Sequence, residues 1–212
     1  MIDGNWEAPD FSRFQGKMSE IYALFASVER FNSPIGPEEK GYMSAEISER
    51  YWQGGGSYGG FFDSLEARNT LVSRNPLRVD AISYASPGSM VFRGNDGALT
   101  AVDNLMDVLA DRYHELKDSY RFIYGILKKE KLLTAKRTSK FSSRTTTEVV
   151  RDRARSFAER MALEHVDDIY ELSGRNVLVF AKVILSIFRR AEAVYQFHAE
   201  GRVQSAGKGS SD

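Results

Sequence analysis

A short, strongly basic stretch between residues 128 and 144 carries the side chains best suited to binding an anion. It holds seven positive residues and one negative residue, Glu130, which gives a local net charge of 7 − 1 = +6. The seven are Lys128, Lys129, Lys131, Lys136, Arg137, Lys140 and Arg144. The stretch leads into a predicted helix, whose free amides and partial positive charge attract anions. The favoured interpretation is a solvated connector whose lysines stabilise the end of the preceding helix, and the alternative is binding of nucleic acid, acidic lipid or an acidic protein surface.

The later part of this stretch makes the nucleic-acid interpretation specific. Lys136, Arg137, Lys140 and Arg144 are predicted to contact phosphates, and such contacts weaken as salt concentration rises. Phe141 stands among them and is predicted to stack on a base, which would favour single strands over duplex.

A cluster of glycines could bind a nucleotide. Gly54, Gly56 and Gly59 match the G-x-G-x-x-G pattern, and a helix is predicted to follow over residues 61–72, so that its amides could face a pyrophosphate. In dinucleotide-binding folds a buried strand precedes this pattern, whereas residues 47–53 are helical in pattern. A turning connector is therefore the favoured interpretation, and no cofactor is predicted.

Two histidines share a predicted helix face with an aspartate. Asp111 and His114 are three residues apart, as are His165 and Asp168, and such pairs bind metal when another helix supplies further ligands. Most such pairs are exposed surface residues, so no metal site is predicted.

Arg160 and His165 have the R-x4-H spacing of HEPN-type ribonucleases, and the helical second half of the chain resembles the helical bundles of that family. The resemblance implies that the arginine polarises the scissile phosphate, that the histidine moves the proton of the 2′-hydroxyl, and that both lie near a dimer seam. Met161 stands where the family usually has a polar residue. This site is an alternative to the main prediction, which assigns no catalytic residue.

Composition excludes several classes of protein. Lys plus Arg equals Asp plus Glu at 29 each, so there is no global basic excess. The absence of cysteine excludes disulfides, thiol catalysis and cysteine-ligated zinc, and fits a reducing compartment. Residues 1–7 have no apolar run, so no targeting peptide is expected, and Lys182 and Ser186 interrupt the most apolar stretch, residues 177–188. A cytoplasmic location without membrane association is the expectation.

A hairpin and a long helix are predicted at the centre of the chain. Residues 77–94 form two β-prone segments, and Pro87 and Gly88 suit a type II turn between them. The apolar period then becomes helical over residues 97–133, a length of roughly 50 Å, with Asn95 or Asp96 as the cap. The sequence from Ile82 to Gly88 (ISYASPG) with the long helix after it resembles a pattern in small uncharacterised prokaryotic proteins, a likeness over residues 77–133 that implies no activity.

The remaining elements are predicted around these two. Residues 1–12 are expected to be flexible, a helix is expected from Lys17 to Phe31, and a strand over residues 21–28 is the alternative. A short helix over residues 44–52, capped by Ser44, is also expected. A capping box from Thr145 to Glu148 predicts a helix that ends near residues 173–174, Asn176 is predicted to cap a last helix to Ala199, and residues 201–212 are expected to be a disordered tail.

These elements predict an α+β fold, predominantly helical, with one β-hairpin in a small sheet beside a bundle built from the long helix and the last two helices. Residues 13–200 are predicted to form a single domain. The long helix and the apolar circumference of residues 177–188 suggest surplus apolar surface, so we expect a non-enzymatic interaction or scaffold protein that acts as a homo-oligomer or as a subunit of a complex. The alternative is a nucleic-acid-binding protein or a HEPN-like ribonuclease.

Overall fold

A computed structural model describes residues 6–49, 76–83 and 89–203. Several predicted features lie outside these residues: the glycine motif of Gly54, Gly56 and Gly59, the helix over 61–72, the centre of the hairpin turn, and the tail from residue 204.

The described residues are predominantly helical with one two-stranded antiparallel sheet, so the predicted α+β class is confirmed. In chain order the elements are α1 (Ala8–Asn32), α2 (Pro37–Glu49), β1 (Arg78–Ser83), β2 (Ser89–Arg93), α3 (Asp96–Lys129), α4 (Arg144–Arg160), α5 (Val166–Leu172) and α6 (Val177–Ala199).

The last helix, α6, lies at the centre of the core. Every residue from Leu178 to Phe188 is buried, because α1, α3 and α4 pack around it. A helix that is apolar on all sides suits such a position. The apolar circumference is therefore covered by the same chain, and it no longer argues for a partner molecule.

The long helix α3 buries one stripe and bends within its length. Its buried residues are Ala98, Val102, Leu105, Leu109, Leu116, Ile123 and Leu127. Asn95 caps it as predicted, since its side chain accepts the Ala98 amide at 2.8 Å. The helix is not the uninterrupted rod expected, because Arg112 has non-helical angles (φ −127°, ψ 25°). It also ends at Lys129, where left-handed Lys131 lets the Leu132 amide return to the Leu127 carbonyl at 2.8 Å.

The first helix corrects one expectation and confirms another. Residues 8–12, expected to be flexible, are the first turns of α1, where the Asp10 carboxylate accepts the Glu7 amide at 3.3 Å. The helix expected from Lys17 to Phe31 is confirmed, and the alternative of a strand over residues 21–28 is wrong. These residues are buried throughout because α1 packs against both α3 and α6, and this burial of both faces explains why the sequence resembles a buried strand.

The second helix begins earlier than predicted. It starts at Pro37, whose fixed φ suits the first turn of a helix, and its described part runs to Glu49. Ser44 lies inside this helix and is not its cap; its hydroxyl donates to the Glu171 carbonyl at 3.4 Å.

The predicted pair of helices over residues 145–199 is three helices. Ser143 rather than Thr145 caps α4, with its hydroxyl accepting the Thr146 amide at 3.0 Å, and Glu148 pairs with Arg144 instead of closing a capping box. The helix ends at Arg160 because Ala162 adopts a left-handed conformation (φ 53°), and the Leu163 amide returns to the Ala158 carbonyl.

The hairpin packs one face on the bundle. Val79 pairs with Phe92 and Ala81 with Val91, and the register shift between them places a bulge at Asp80. Phe92 contacts Phe14 of α1 with ring centroids 6.4 Å apart. Within the described ranges, no helix is long and apolar enough to cross a membrane.

Candidate anion-binding groove

The basic connector between α3 and α4 is held to its surroundings at three points. The Lys182 ammonium donates to the Ala135 carbonyl at 2.6 Å, and the Asn176 side-chain amide donates to the Arg137 carbonyl at 2.9 Å, so α6 holds its first half. Near its end, the Ser142 amide and hydroxyl both donate to the Glu130 carboxylate at 2.8 Å. The connector therefore presents its side chains from a fixed backbone.

A groove of about 520 Å³ lies where this connector meets the first turns of α4 and α6. Three cationic side chains, four hydroxyls, one carboxamide and three apolar side chains line it. They are Lys140, Arg144 and Arg175; Ser139, Ser142, Ser143 and Thr147; Asn176; and Phe141, Val177 and Leu178. The volume is typical of sites for small-molecule ligands.

The three cations are available to a ligand. Arg144 lies 2.9 Å from Glu148 with its side chain 92% exposed, and Arg175 lies 2.7 Å from Glu171 with its side chain 71% exposed. Such exposed ion pairs contribute little free energy, so a phosphate can replace the carboxylate. Lys140 is exposed and forms no ion pair or hydrogen bond with another described residue.

The two helix starts add to the positive potential of the groove. Ser143 accepts the Thr146 amide, while the Asn176 carboxamide oxygen accepts the Leu178 and Val179 amides at 3.0 and 3.1 Å. These caps use some of the amides that helix ends leave unpaired. The positive ends of both helix dipoles still lie at the groove.

Only some of the predicted anion-binding residues line the groove. Lys140, Phe141 and Arg144 line the groove, whereas Lys136 and Arg137 do not. Arg137 lies 2.7 Å from Glu49 at the end of α2, and its side chain also donates to the Ser48 hydroxyl at 3.3 Å. Charge clustering alone could not show that the connector turns between these residues.

Arg175 is the cation that the sequence analysis missed. It lies 31 positions after Arg144, and the left-handed pair of Gly174 (φ 66°) and Arg175 (φ 53°) places it directly before the Asn176 cap. A basic residue next to a second helix cap was the available signal, but the meeting of the two caps depends on tertiary structure.

Arg160 and His165 are not joined by any contact among the described residues. Arg160 donates to the Ser119 hydroxyl at 3.5 Å, whereas the His165 ring lies 3.5 Å from the Asp168 carboxylate. His165 also has left-handed angles (φ 58°), as the residue before α5. The arrangement that the ribonuclease resemblance implies thus has no contact to support it.

Asp111 and His114, the other pair considered for metal binding, also contact their neighbours in the sequence. Asp111 pairs with Arg112 at 3.0 Å, and the His114 and Tyr113 rings meet edge to face with centroids 5.4 Å apart. The described part of the chain contains no group of three or more histidine or carboxylate side chains able to hold a metal ion.

Helix α6 contains two buried cations, Lys182 and Arg190. In the sequence, Lys182 only interrupts the apolar stretch 177–188, and Arg190 only follows its end. Burial lowers the pKa of the Lys182 ammonium to about 8. Arg190 lies 2.5 Å from the Glu20 carboxylate of α1 and also contacts Ser186. Lys182 thus holds the connector through its hydrogen bond to Ala135, while Arg190 joins α6 to α1 through its ion pair with Glu20.

Tyr113 forms a further polar contact between α3 and α6. Its hydroxyl donates to the Glu192 carboxylate at 2.6 Å, and this hydrogen bond raises the pKa of Tyr113 to about 12. Lys117 forms an ion pair with the same carboxylate, so two side chains of α3 contact Glu192 of α6.

Comparison with protein-family models, with curated proteins and with solved structures finds no match to this chain. The likenesses to HEPN-type ribonucleases and to small prokaryotic proteins therefore stay predictions.

Proposed function

We propose that this protein is a non-enzymatic binding protein that holds the phosphates of nucleic acid in the groove between the connector and the first turns of α4 and α6. The observation that carries the proposal is the convergence of Lys140, Arg144 and Arg175 on one concave surface with two helix N-termini. The whole chain has no net charge, so this local concentration of cations supplies the attraction.

The shape and lining of the groove favour nucleic acid over the other anionic partners. A bilayer surface is flat on this scale and would meet only the rim. Phe141, Val177 and Leu178 give the groove an apolar part that carboxylates of an acidic protein would not use. A nucleotide carries both an anionic phosphate and an apolar ring, and it uses both parts of the lining.

The experiment is a salt titration of binding. With three phosphate contacts, each contributing roughly 0.7 log units per log unit of salt for single strands, the slope should be about −2. The combined substitution Lys140→Ala, Arg144→Ala and Arg175→Ala should abolish binding and leave the melting temperature within about two degrees, because exposed charges contribute little to stability.

A matched variant separates the groove from general charge. Replacing Lys128, Lys129 and Arg151, three exposed cations that do not line the groove, by alanine removes the same charge and should retain most of the affinity. The absence of any retardation of RNA or DNA in a gel at low salt would contradict the proposal, and so would equal loss of binding in both triple variants.

We propose separately that the protein works with a partner chain, as a homo-oligomer or as a subunit of a cytoplasmic complex. Phe122 of α3 and Val149 of α4 support this, since they are 47% and 39% exposed. Arg153, one turn after Val149, lies over the Phe122 ring at 5.1 Å, so the three side chains share a surface. Light scattering that shows a monomer at micromolar concentration, with no protein co-purifying from the native host, would contradict this.

A further inference from the structure

We infer that the groove accepts one unpaired base together with its phosphate, so that the ligand is a single-stranded nucleic acid rather than a duplex or a base-free polyanion. This inference rests on the proposed function, because the same three cations hold the phosphate in both. The inference adds the base, which is the part of the ligand that the cations do not contact.

The apolar part of the lining provides the surface for the base. Phe141 and Val177 are half-buried and Leu178 is buried, and all three line the same groove as the cations. A phosphate makes no use of such side chains, whereas every base has an apolar face that stacks on an aromatic ring. The volume of about 520 Å³ is suited to one nucleotide.

Most polar groups of the groove are already occupied. The Ser142 hydroxyl donates to Glu130, the Thr147 hydroxyl donates to the Ser143 carbonyl, and the Ser143 hydroxyl accepts the Thr146 amide. The Asn176 carboxamide contacts Arg137, Leu178 and Val179. Few groups remain to read the hydrogen-bonding edge of a base, so the groove should bind all four bases with similar affinity.

The pairing state of the ligand follows from this geometry. In a duplex the faces of a base are covered by its neighbours in the stack, and extruding a base costs free energy. Its phosphates can still contact the cations at the rim. Duplex should therefore bind with the affinity of a base-free polyanion, and a single strand should bind more tightly.

The test measures affinity by fluorescence anisotropy at low salt with the full chain. The probes are a single-stranded oligonucleotide, the same strand with abasic positions, the corresponding duplex, inorganic polyphosphate of equal charge, and a nucleoside triphosphate. We expect the intact strand to bind roughly tenfold more tightly than the abasic strand, the duplex and the polyphosphate, and at least as tightly as the triphosphate, which also carries a base.

Substitutions at Phe141 assign the difference to the ring. Phe141→Leu should bring the intact strand to the affinity of the abasic strand and leave the salt slope unchanged, whereas Phe141→Tyr should retain the tenfold difference. Phe122→Leu, which removes an exposed ring outside the groove, should leave the difference unchanged. Melting temperatures verify that each variant is folded, and the comparison of intact and abasic strands on the native protein keeps the inference falsifiable if the leucine variant fails to fold.

The outcomes separate the inference from the proposed function. Equal binding of intact and abasic strands overturns the inference and leaves phosphate binding in place. Tighter binding of the free triphosphate than of the strand also overturns it, because the ligand is then a free nucleotide. Failure of every probe to bind overturns both.

Discussion

The backbone amide of Asn95 donates a hydrogen bond to the hydroxyl of Tyr22, 2.7 Å away. Tyr22 is buried in α1 (1% exposed), and burial raises the pKa of its hydroxyl. Its ring also lies against Gly94, where an added Cβ would come within 2.6 Å of the hydroxyl oxygen. The end of β2, the cap of α3 and the middle of α1 therefore meet at one side chain.

This close approach predicts the effect of a single methyl group. Gly94→Ala should destabilise the protein by about 2 kcal/mol, because the buried Tyr22 ring must move or the backbone must shift. Gly125→Ala is the matched control: it is exposed, within α3, with nothing within 4 Å of its added Cβ, and should stabilise by about 0.5–1 kcal/mol. Urea unfolding of both variants measures the difference, and equal stability of the two would show that Tyr22 does not restrict Gly94.

The cap of α4 provides a second prediction. Ser143→Ala should cost about 1 kcal/mol of stability, because the Thr146 amide loses its acceptor. Thr145→Ala removes a hydroxyl from the first turn without removing this cap, and should be neutral or slightly stabilising. Thermal unfolding distinguishes the two, and a larger loss in the Thr145 variant would restore the capping box predicted from the sequence.

Lys182 should make stability depend on pH. In the unfolded chain its ammonium titrates near pH 10.5, and in the folded chain its pKa is about 8. Between these values the unfolded state binds more protons, so the free energy of unfolding contributed by this group rises with pH. Below pH 8 the lysine is protonated in both states and its contribution is constant.

Lys182→Met isolates this contribution from other titrations. The free energy of unfolding of the native protein, minus that of the variant, should rise from pH 8 to 10.5 and be flat below pH 8. Lys140→Met, which removes an exposed lysine and leaves Lys182 in place, is the control for the substitution itself. Urea unfolding across this range measures both, and a flat difference for Lys182→Met would show that burial does not perturb the lysine.

Arg202 should stabilise both ends of the described chain. It lies 2.5 Å from Asp10, and its guanidinium lies 4.6 Å from the Trp6 ring centroid and 5.0 Å from that of Phe197. Arg202→Ala should lower the urea midpoint, and Arg202→Lys should recover only part of the loss, since an ammonium lacks the planar group that stacks on rings. Arg151→Ala, at an exposed residue paired with its neighbour Asp152, should leave the midpoint unchanged.

The same contact has a pH dependence of the same sign as that of Lys182 but in the acid range, because there too the unfolded state binds more protons than the folded state. The hydrogen bond from Arg202 holds the pKa of Asp10 below its usual value of 3.8. Its contribution to stability is therefore complete above that value and is lost as the pH falls through the lower, folded pKa. Acid unfolding of the native protein and of Arg202→Ala measures this contribution. If unfolding begins at the same pH in both, the contact contributes nothing.

The sequence predicts those features of the fold that depend on local chemistry. The caps at Asn95 and Asn176 and the apolar stripe of α3 need only residue type and spacing, and all three are confirmed. The break at Ala162 was missed because alanine favours helix and gives no sign of a left-handed conformation, whereas Gly174 at the end of α5 does.

The groove and the packing at the chain ends depend on contacts between distant residues. Lys140, Phe141 and Arg144 follow from charge and aromaticity, but Arg175 joins them only after α4 and α6 are packed. Residues 201–203 were assigned to a disordered tail, and Arg202 instead packs on Trp6 because its guanidinium finds an aromatic face and a carboxylate there. Neither arrangement leaves a periodic signal in the sequence.

The contact between Asp10 and Arg202 joins residues 192 positions apart, and Glu20 pairs with Arg190 in the same interface between α1 and α6. On the ribosome, α1 is synthesised before α6, the helix that covers it. Its buried side chains must therefore stay soluble, or be shielded by chaperones, until α6 leaves the exit tunnel. Closing so long a loop also carries an entropic cost before these contacts form, so the contacts between α1 and α6 should form late in folding.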